Sequence, residues 1–186
     1  NGTTTTSCAA GKYKTAHTVY YGSTSSCSTC PSGYTSAAGA TAQNKCYISV
    51  AAGKYLGTAK STTQTACSAG TYKAAHNVNY GSTSSCSACP SGQIALGTGN
   101  SSCSECPAGS ICPTASTTQS CPAGYKCSGG TQEACPEGYF SASGSISCTR
   151  CPVGYYCPGG TNKLACPSGY TSAAQSTAKN KCYINV

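Results

Sequence analysis

The stretch Cys30-Pro-Ser-Gly-Tyr-Thr-Ser-Ala-Ala-Gly-Ala-Thr-Ala-Gln-Asn-Lys-Cys46-Tyr-Ile-Ser-Val50 returns 136 residues later as Cys166-Pro-Ser-Gly-Tyr-Thr-Ser-Ala-Ala-Gln-Ser-Thr-Ala-Lys-Asn-Lys-Cys182-Tyr-Ile-Asn-Val186, with 17 of 21 positions identical. A second pair, Cys8-Ala-Ala-Gly-Lys-Tyr to Cys27-Ser-Thr-Cys30-Pro and Cys67-Ser-Ala-Gly-Thr-Tyr to Cys86-Ser-Ala-Cys89-Pro, is offset by 59 residues, so Cys30 matches both Cys89 and Cys166. The chain therefore reads as residues 1–46, a short cysteine-rich module with an N-terminal linker; 47–66, a Cys-free linker; 67–182, the same module with 77 residues inserted, at about 90–165; and 183–186, the start of the next linker. Repetition without a charged or nucleophilic cluster points to architecture, because chemistry needs one well-built site whereas coats and filaments need many equal units.

The ends follow the same pattern. Asn1-Gly-Thr-Thr-Thr-Thr-Ser-Cys8 aligns with Lys60-Ser-Thr-Thr-Gln-Thr-Ala-Cys67, and Cys182-Tyr-Ile-Asn-Val186 stops where Cys46-Tyr-Ile-Ser-Val50 runs on into Ala-Ala-Gly-Lys-Tyr55. The expectation is a window of a longer tandem array. No apolar stretch is long enough to span a bilayer.

Only 13 of 186 residues are Val, Ile or Leu, Phe140 is the single Phe and there is no Trp, so a conventional core is not available. Composition this poor in aliphatics signals disorder unless something else ties the chain together. The 18 cysteines supply that constraint as disulfides, which persist in oxidising compartments. A secreted or cell-surface location follows. The fold class expected is small and disulfide-rich: tandem cysteine-rich modules of short β-hairpins and loops in an elongated rod, with little helix.

Duplicated segments should pair alike. If Cys166–Cys182 repeats Cys30–Cys46, and Cys67–Cys86 repeats Cys8–Cys27, then sequential pairing uses every cysteine once, adding Cys89–Cys103, Cys106–Cys112, Cys121–Cys127, Cys135–Cys148 and Cys151–Cys157. Crossed pairs, 106–121 with 112–127, are equally reachable within that close-spaced group.

Cys-Pro-x-Gly-Tyr recurs at 30, 121, 135, 151 and 166, where Pro presets one turn dihedral and Gly accepts a left-handed one, so each motif opens a loop. Short β-prone pieces follow, Tyr-Thr-Ser and Tyr-Phe-Ser, with Thr-Val-Tyr-Tyr elsewhere, which suits small hairpins. The Cys-free linker carries Ile48, Val50, Tyr55 and Leu56 and reads as an inter-module strand. The 14 tyrosines are expected to cover the disulfides with their rings and keep their hydroxyls in water.

Motifs that could carry chemistry are weak by comparison. Four Cys-x-x-Cys pairs occur, at 27/30, 86/89, 103/106 and 148/151. Cys86/Cys89 and Cys103/Cys106 are spaced like a zinc ribbon, but the other two pairs have no second pair at that distance. A redox role needs a helix start in a βαβ context, which is not visible. The reading preferred is one disulfide loop ending three residues before the next begins. With no Asp, three Glu (Glu105, Glu133, Glu137), Arg150 as the single Arg and two His, paired carboxylates and a Ser-His-Asp arrangement are out of reach within the chain. No catalytic residue, metal ligand or cofactor is expected, and the chain reads as a non-enzyme.

His17 and His76 occupy one repeat position, Tyr-Lys-x-Ala-His, and read as half-exposed hairpin residues rather than as a pH-sensitive or metal contact. The formal charge of +8 comes from dispersed lysines, a solvated surface rather than a polyanion-binding face. Nucleic acid is therefore not an expected partner. Asn1-Gly-Thr and Asn100-Ser-Ser are N-glycosylation sequons, and the Thr/Ser-rich linkers could carry O-linked sugars.

Repeats of Cys-Pro-x-Gly-Tyr, a small-residue loop and Cys-x-x-Cys-Pro, as in Cys135-Pro-Glu-Gly-Tyr-Phe-Ser-Ala-Ser-Gly-Ser-Ile-Ser-Cys148-Thr-Arg-Cys151-Pro, resemble the ephrin-receptor-like and tumour-necrosis-factor-receptor-like cysteine-rich modules. The Thr/Ala/Ser-rich version is most similar to the immobilisation (surface) antigens of ciliates. That resemblance implies an extracellular protein held at the membrane through an anchor outside this stretch.

Together these readings lead to an expected non-enzymatic extracellular structural glycoprotein, a cell-surface coat or filament, whose partners are copies of itself and covalent glycans. A ligand-binding receptor ectodomain is the alternative, with Glu105, Glu133, Glu137, Arg150 and Phe140 of the insert as its one candidate patch. Because Val50 stands where the related repeat has Cys8, the linker lacks a staple. Ile48, Val50, Tyr55 and Leu56 are expected to pack against the neighbouring module, or against Ile184 and Val186 of another chain.

Overall fold

The computed structural model describes residues 6–21 and 23–185. Within them the chain is strand and turn, with helix confined to two 3-10 turns, Gln43–Lys45 and Lys179–Lys181, at twin positions of the long repeat.

The repeating unit is smaller than the duplicated blocks suggest. It is a hairpin opened by Cys-x-x-Gly, and this turn occurs ten times, at Cys8, Cys30, Val50, Cys67, Cys89, Cys106, Cys121, Cys135, Cys151 and Cys166. In each one the residue after the glycine donates its N–H to the carbonyl three residues back, as Tyr34 does to Pro31 (2.9 Å) and Lys54 to Ala51 (3.2 Å). The glycine supplies the left-handed φ that this tight turn demands. At Gly53 the demand is double, because φ is +76° and a Cβ would run into the carbonyl of Gly99.

A short antiparallel ladder follows each turn. Examples are Lys12–Tyr13 with Ser28–Thr29, Lys54–Tyr55 with Thr65–Ala66, and Tyr139–Phe140 with Thr149–Arg150. The hairpin of Cys30 is closed by the single bridge of Thr35 with Tyr47. The next motif then begins on the glycine of the previous one. Cys30, Cys67, Cys106, Cys121, Cys135, Cys151 and Cys166 donate their N–H to the carbonyls of Gly11, Gly53, Gly92, Gly109, Gly124, Gly138 and Gly154. One backbone bond thus fixes the register of each of these seven hairpins on its predecessor.

A buried serine adds a second lock. Ser36, Ser141 and Ser172, each third after the motif glycine, donate their hydroxyls to the carbonyls of Lys12 (2.9 Å), Tyr125 (2.8 Å) and Tyr155 (2.6 Å) of the preceding hairpin. A buried hydroxyl is tolerated only with such a partner.

The chain divides into two compact units, Asn1–Ala88 with Gly97–Ser102, and Cys89–Leu96 with Cys103–Val186. Half of the buried apolar residues of the first unit and most of those of the second are cystine. The first unit also holds two small clusters. In one, Cys30, Tyr34 and Cys46 are covered by Tyr13, Ile48 and Tyr80; in the other, Val50, Leu56 and Val78 bury one another beside Ile48.

Two expectations need correction. Thr18-Val19-Tyr20-Tyr21 forms no strand, although the equivalent His76–Asn79 does, because only the latter has a strand to pair with. The hydroxyl of Tyr34 is not in water; it donates to the carbonyl of Ser61 (2.7 Å) while the ring packs on the Cys30–Cys46 cystine and meets Tyr80 edge-on.

Candidate functional site

All 18 cysteines are joined, in sequence order: Cys8–Cys27, Cys30–Cys46, Cys67–Cys86, Cys89–Cys103, Cys106–Cys112, Cys121–Cys127, Cys135–Cys148, Cys151–Cys157 and Cys166–Cys182. The crossed alternative at 106–127 is not adopted. Every Cys-x-x-Cys pair therefore separates two staples, and Cys86, Cys89, Cys103 and Cys106 belong to three different disulfides, which leaves no thiolate for a metal or for exchange chemistry.

Six staples span whole hairpins, with sequence separations of 13 to 19, and three close loops of separation 6. On the chain-entropy account a loop of either size contributes about 2 to 3 kcal/mol against the unfolded chain. The short staples tie only the first strand, and two of those hairpins have longer ladders: Ser110–Thr114 with Thr117–Ser120, and Tyr125–Ser128 with Thr131–Ala134.

One hairpin has no staple. At Val50–Cys67 the positions equivalent to Cys8 and Cys27 hold Val50 and Gln64. The Gln64 side chain bridges the same gap by hydrogen bonds: its Nε2 donates to the carbonyl of Ser49 (3.0 Å) and its Oε1 accepts from the N–H of Ala51 (3.0 Å). Val50 turns inward onto Leu56 and Val78. The strand Tyr47–Val50 also pairs antiparallel with His76–Asn79 across four residues, so the apolar run of the linker packs on the neighbouring hairpin of its own chain. Gln64 was missed by sequence reasoning, yet its signal was present: it stands three residues before a motif cysteine, where Cys27 and Cys86 stand before Cys30 and Cys89.

The charged residues of the insert do not converge. Glu133 pairs with Lys126 (3.1 Å), its neighbour across the hairpin, and no ion pair or hydrogen bond among the described residues joins any two of Glu105, Glu133, Glu137 and Arg150. Phe140 lies half-buried under the Lys163 ammonium, 5.8 Å from its ring centre, and the same ammonium sits 5.0 Å from the ring centre of Tyr155. Phe140 is thus already occupied within its own unit.

His17 and His76 keep one local geometry, each Nδ1–H donating to the carbonyl two residues back, Thr15 (2.8 Å) and Ala74 (2.9 Å). His76 lies opposite Val50 and its Nε2 is buried without a partner, whereas His17 is exposed. Beside His17 a groove of about 360 Å³ runs past Cys8, Lys14, Val19 and Ser25. Asn100 is half-buried, and its Nδ2 donates to the carbonyl of Gly97 (3.1 Å); the other sequon residue, Asn1, lies outside the described residues.

No protein-family model matches this chain, and no curated protein matches it. Nine disulfides are the mark of an extracellular or secreted protein, and among the described residues no helix is long and apolar enough to cross a membrane.

Proposed function

We propose that the chain is a non-enzymatic structural protein of the cell exterior, a coat or filament component built for self-association. The observation that carries this reading is the equality of its parts. Ten turns share one bond pattern, seven of the hairpins register through the same Cys N–H to Gly carbonyl contact, and the chemistry-bearing side chains are few and apart. Equal units suit lateral or end-to-end repetition, as in solenoid and repeat proteins. Covalent glycans, at Asn100 or on the Thr/Ser-rich linkers, fit the same role, as does the resemblance of the Thr/Ala/Ser-rich repeats with their spaced Cys-x-x-Cys pairs to ciliate surface antigens.

Electron microscopy of the oxidised, purified chain and of the surface it comes from tests this reading. Ordered fibres or a periodic coat are expected, with antibody label on them. A dispersed monomer that captures one soluble ligand at a single site would return the receptor reading instead.

A further inference from the structure

In the oxidised chain each disulfide carries tension past its own loop, so only the stretches between one staple and the next can lengthen without breaking a covalent bond. Most of these are short. Two residues separate Cys27 from Cys30, Cys86 from Cys89, Cys103 from Cys106 and Cys148 from Cys151, and the stretches 113–120, 128–134 and 158–165 hold seven or eight. The exception is 47–66, twenty residues between Cys46 and Cys67, which make up the strand Tyr47–Val50 and the unstapled hairpin that follows it.

The surfaces this stretch packs on lie inside stapled loops. Tyr47–Val50 pairs with His76–Asn79, and Val50 and Leu56 bury against Val78. Leu56 exchanges two hydrogen bonds with Ser84, its N–H donating to the hydroxyl (3.0 Å) and its carbonyl accepting from the Ser84 N–H (2.8 Å). His76, Val78 and Ser84 all belong to the Cys67–Cys86 loop. Tyr34, inside the Cys30–Cys46 loop, likewise donates its hydroxyl to the Ser61 carbonyl (2.7 Å). These surfaces bear no tension while the staples hold, so they persist when the hairpin leaves them and receive it on its return.

What holds the hairpin itself is breakable. Its ladder is two residues long, its mouth is closed by the two hydrogen bonds of Gln64, and Lys60 in its loop is kept at φ +62°, a left-handed conformation whose strain is relieved on opening. Burial and hydrogen bonds yield to a pull that a cystine withstands.

We propose that residues 47–66 are the extensible link of the chain: under tension the Val50–Cys67 hairpin peels off its stapled neighbours, releases its length, and refolds on the same surfaces when the tension falls. The lack of a cystine at Val50 and Gln64 is what permits it. This property belongs to the single chain and goes beyond the structural role, giving a coat or filament a way to yield without losing a covalent bond.

The test stretches the oxidised chain, held by tags at its two ends, in optical tweezers. At about 3.6 Å per residue, 47–66 should give one reversible gain in contour length above about 30 Å and up to about 70 Å, whereas none of the shorter stretches passes about 30 Å. Val50→Cys with Gln64→Cys, checked for the absence of free thiols, leaves only 47–49 and 65–66 to extend, so the gain there should fall below about 20 Å. Leu56→Ala should keep the long gain and open at least about tenfold faster at constant force, because forced opening follows the opening rate. Should the tenth staple not close, the wild-type gain and Leu56→Ala decide alone. Gains that all stay below about 30 Å, a long gain that survives the closed staple, or Leu56→Ala opening no faster than wild type would each overturn the extensible link. All three leave the coat-or-filament reading, which electron microscopy tests, standing.

Discussion

The hairpins at Cys8–Cys30 and Val50–Cys67 share a turn, a two-residue ladder and a closing bond from the next cysteine to the motif glycine. They differ in what spans their mouth. The first has a disulfide, which acts mainly by restricting the unfolded chain. The second has the Gln64 amide against Ser49 and Ala51, together with Val50 and Leu56 buried on Val78. The two devices answer one demand with different physics. A cystine needs nothing beyond its own loop, whereas the substitute needs a second hairpin to bury against, so the unstapled rung is tied to the hairpin of Cys67 and cannot be understood alone.

Reduction should separate the two kinds of rung most strongly. Under native conditions a thiol reductant removes about 2 to 3 kcal/mol per loop, and the loss of nine should abolish the ordered fold. Hydrogen exchange would show amide protection persisting longest at Ile48, Val50 and Val78. A compact fold that survives complete reduction contradicts this.

The next largest effect is expected from Leu56→Ala. A fully buried leucine replaced by alanine costs about 2 to 5 kcal/mol. Exchange should accelerate across 47–66 and 76–79 and stay unchanged in the Cys166–Cys182 hairpin. Converting the rung to the other type, with Val50→Cys and Gln64→Cys together, should create a tenth disulfide, read by mass spectrometry as a loss of two hydrogens with no free thiol. Its entropic contribution of about 3 kcal/mol is offset by the lost burial of Val50, about 1.5 to 3 kcal/mol, so the melting temperature should move little. Persistent free thiols would show that the Gln64 mouth is wider than a cystine.

Gln64→Ala should cost less, about 0.5 to 1.5 kcal/mol per hydrogen bond removed, measured as faster exchange at Ala51. The smallest effect concerns pH. Burial, and then the neighbouring Tyr80, push the Tyr34 phenol above its ordinary value of 10.0. Because the neutral form is the one the fold favours, this stabilisation is complete below that value and is lost as pH rises through the folded one. Ultraviolet titration should find a tyrosine step above the ordinary value of 10.0, and Tyr34→Phe should remove it.

Sequence reasoning favoured the sequential framework because duplicated blocks should pair alike, Cys166–Cys182 with Cys30–Cys46 and Cys67–Cys86 with Cys8–Cys27, and sequential pairing then uses every cysteine once; it left the pairing within Cys106, Cys112, Cys121 and Cys127 open. It under-counted the hairpins because Cys-Pro-x-Gly-Tyr is only the most conspicuous version of the turn. Gly11, Gly53, Gly70, Gly92 and Gly109 do the same work without that full motif, and a search for glycine three residues after cysteine finds all of these but Gly53. It also treated Thr18-Val19-Tyr20-Tyr21 as strand-prone on composition, and a strand needs a partner as well as a propensity.

Sequence by itself thus determined the class of the fold, the staples of the duplicated blocks and the place where one staple is missing, because cysteine spacing, turn glycines and internal repetition are local properties; the structure decided the pairing within Cys106, Cys112, Cys121 and Cys127. Only the tertiary structure decided what replaces the missing staple and which repeated segments become strands. Val50 and Val186, or His17 and His76, are alike as residues. Between the two histidine segments the difference lies in whether another hairpin stands close enough to supply hydrogen-bond partners and a surface to bury against, which no local stretch of sequence contains.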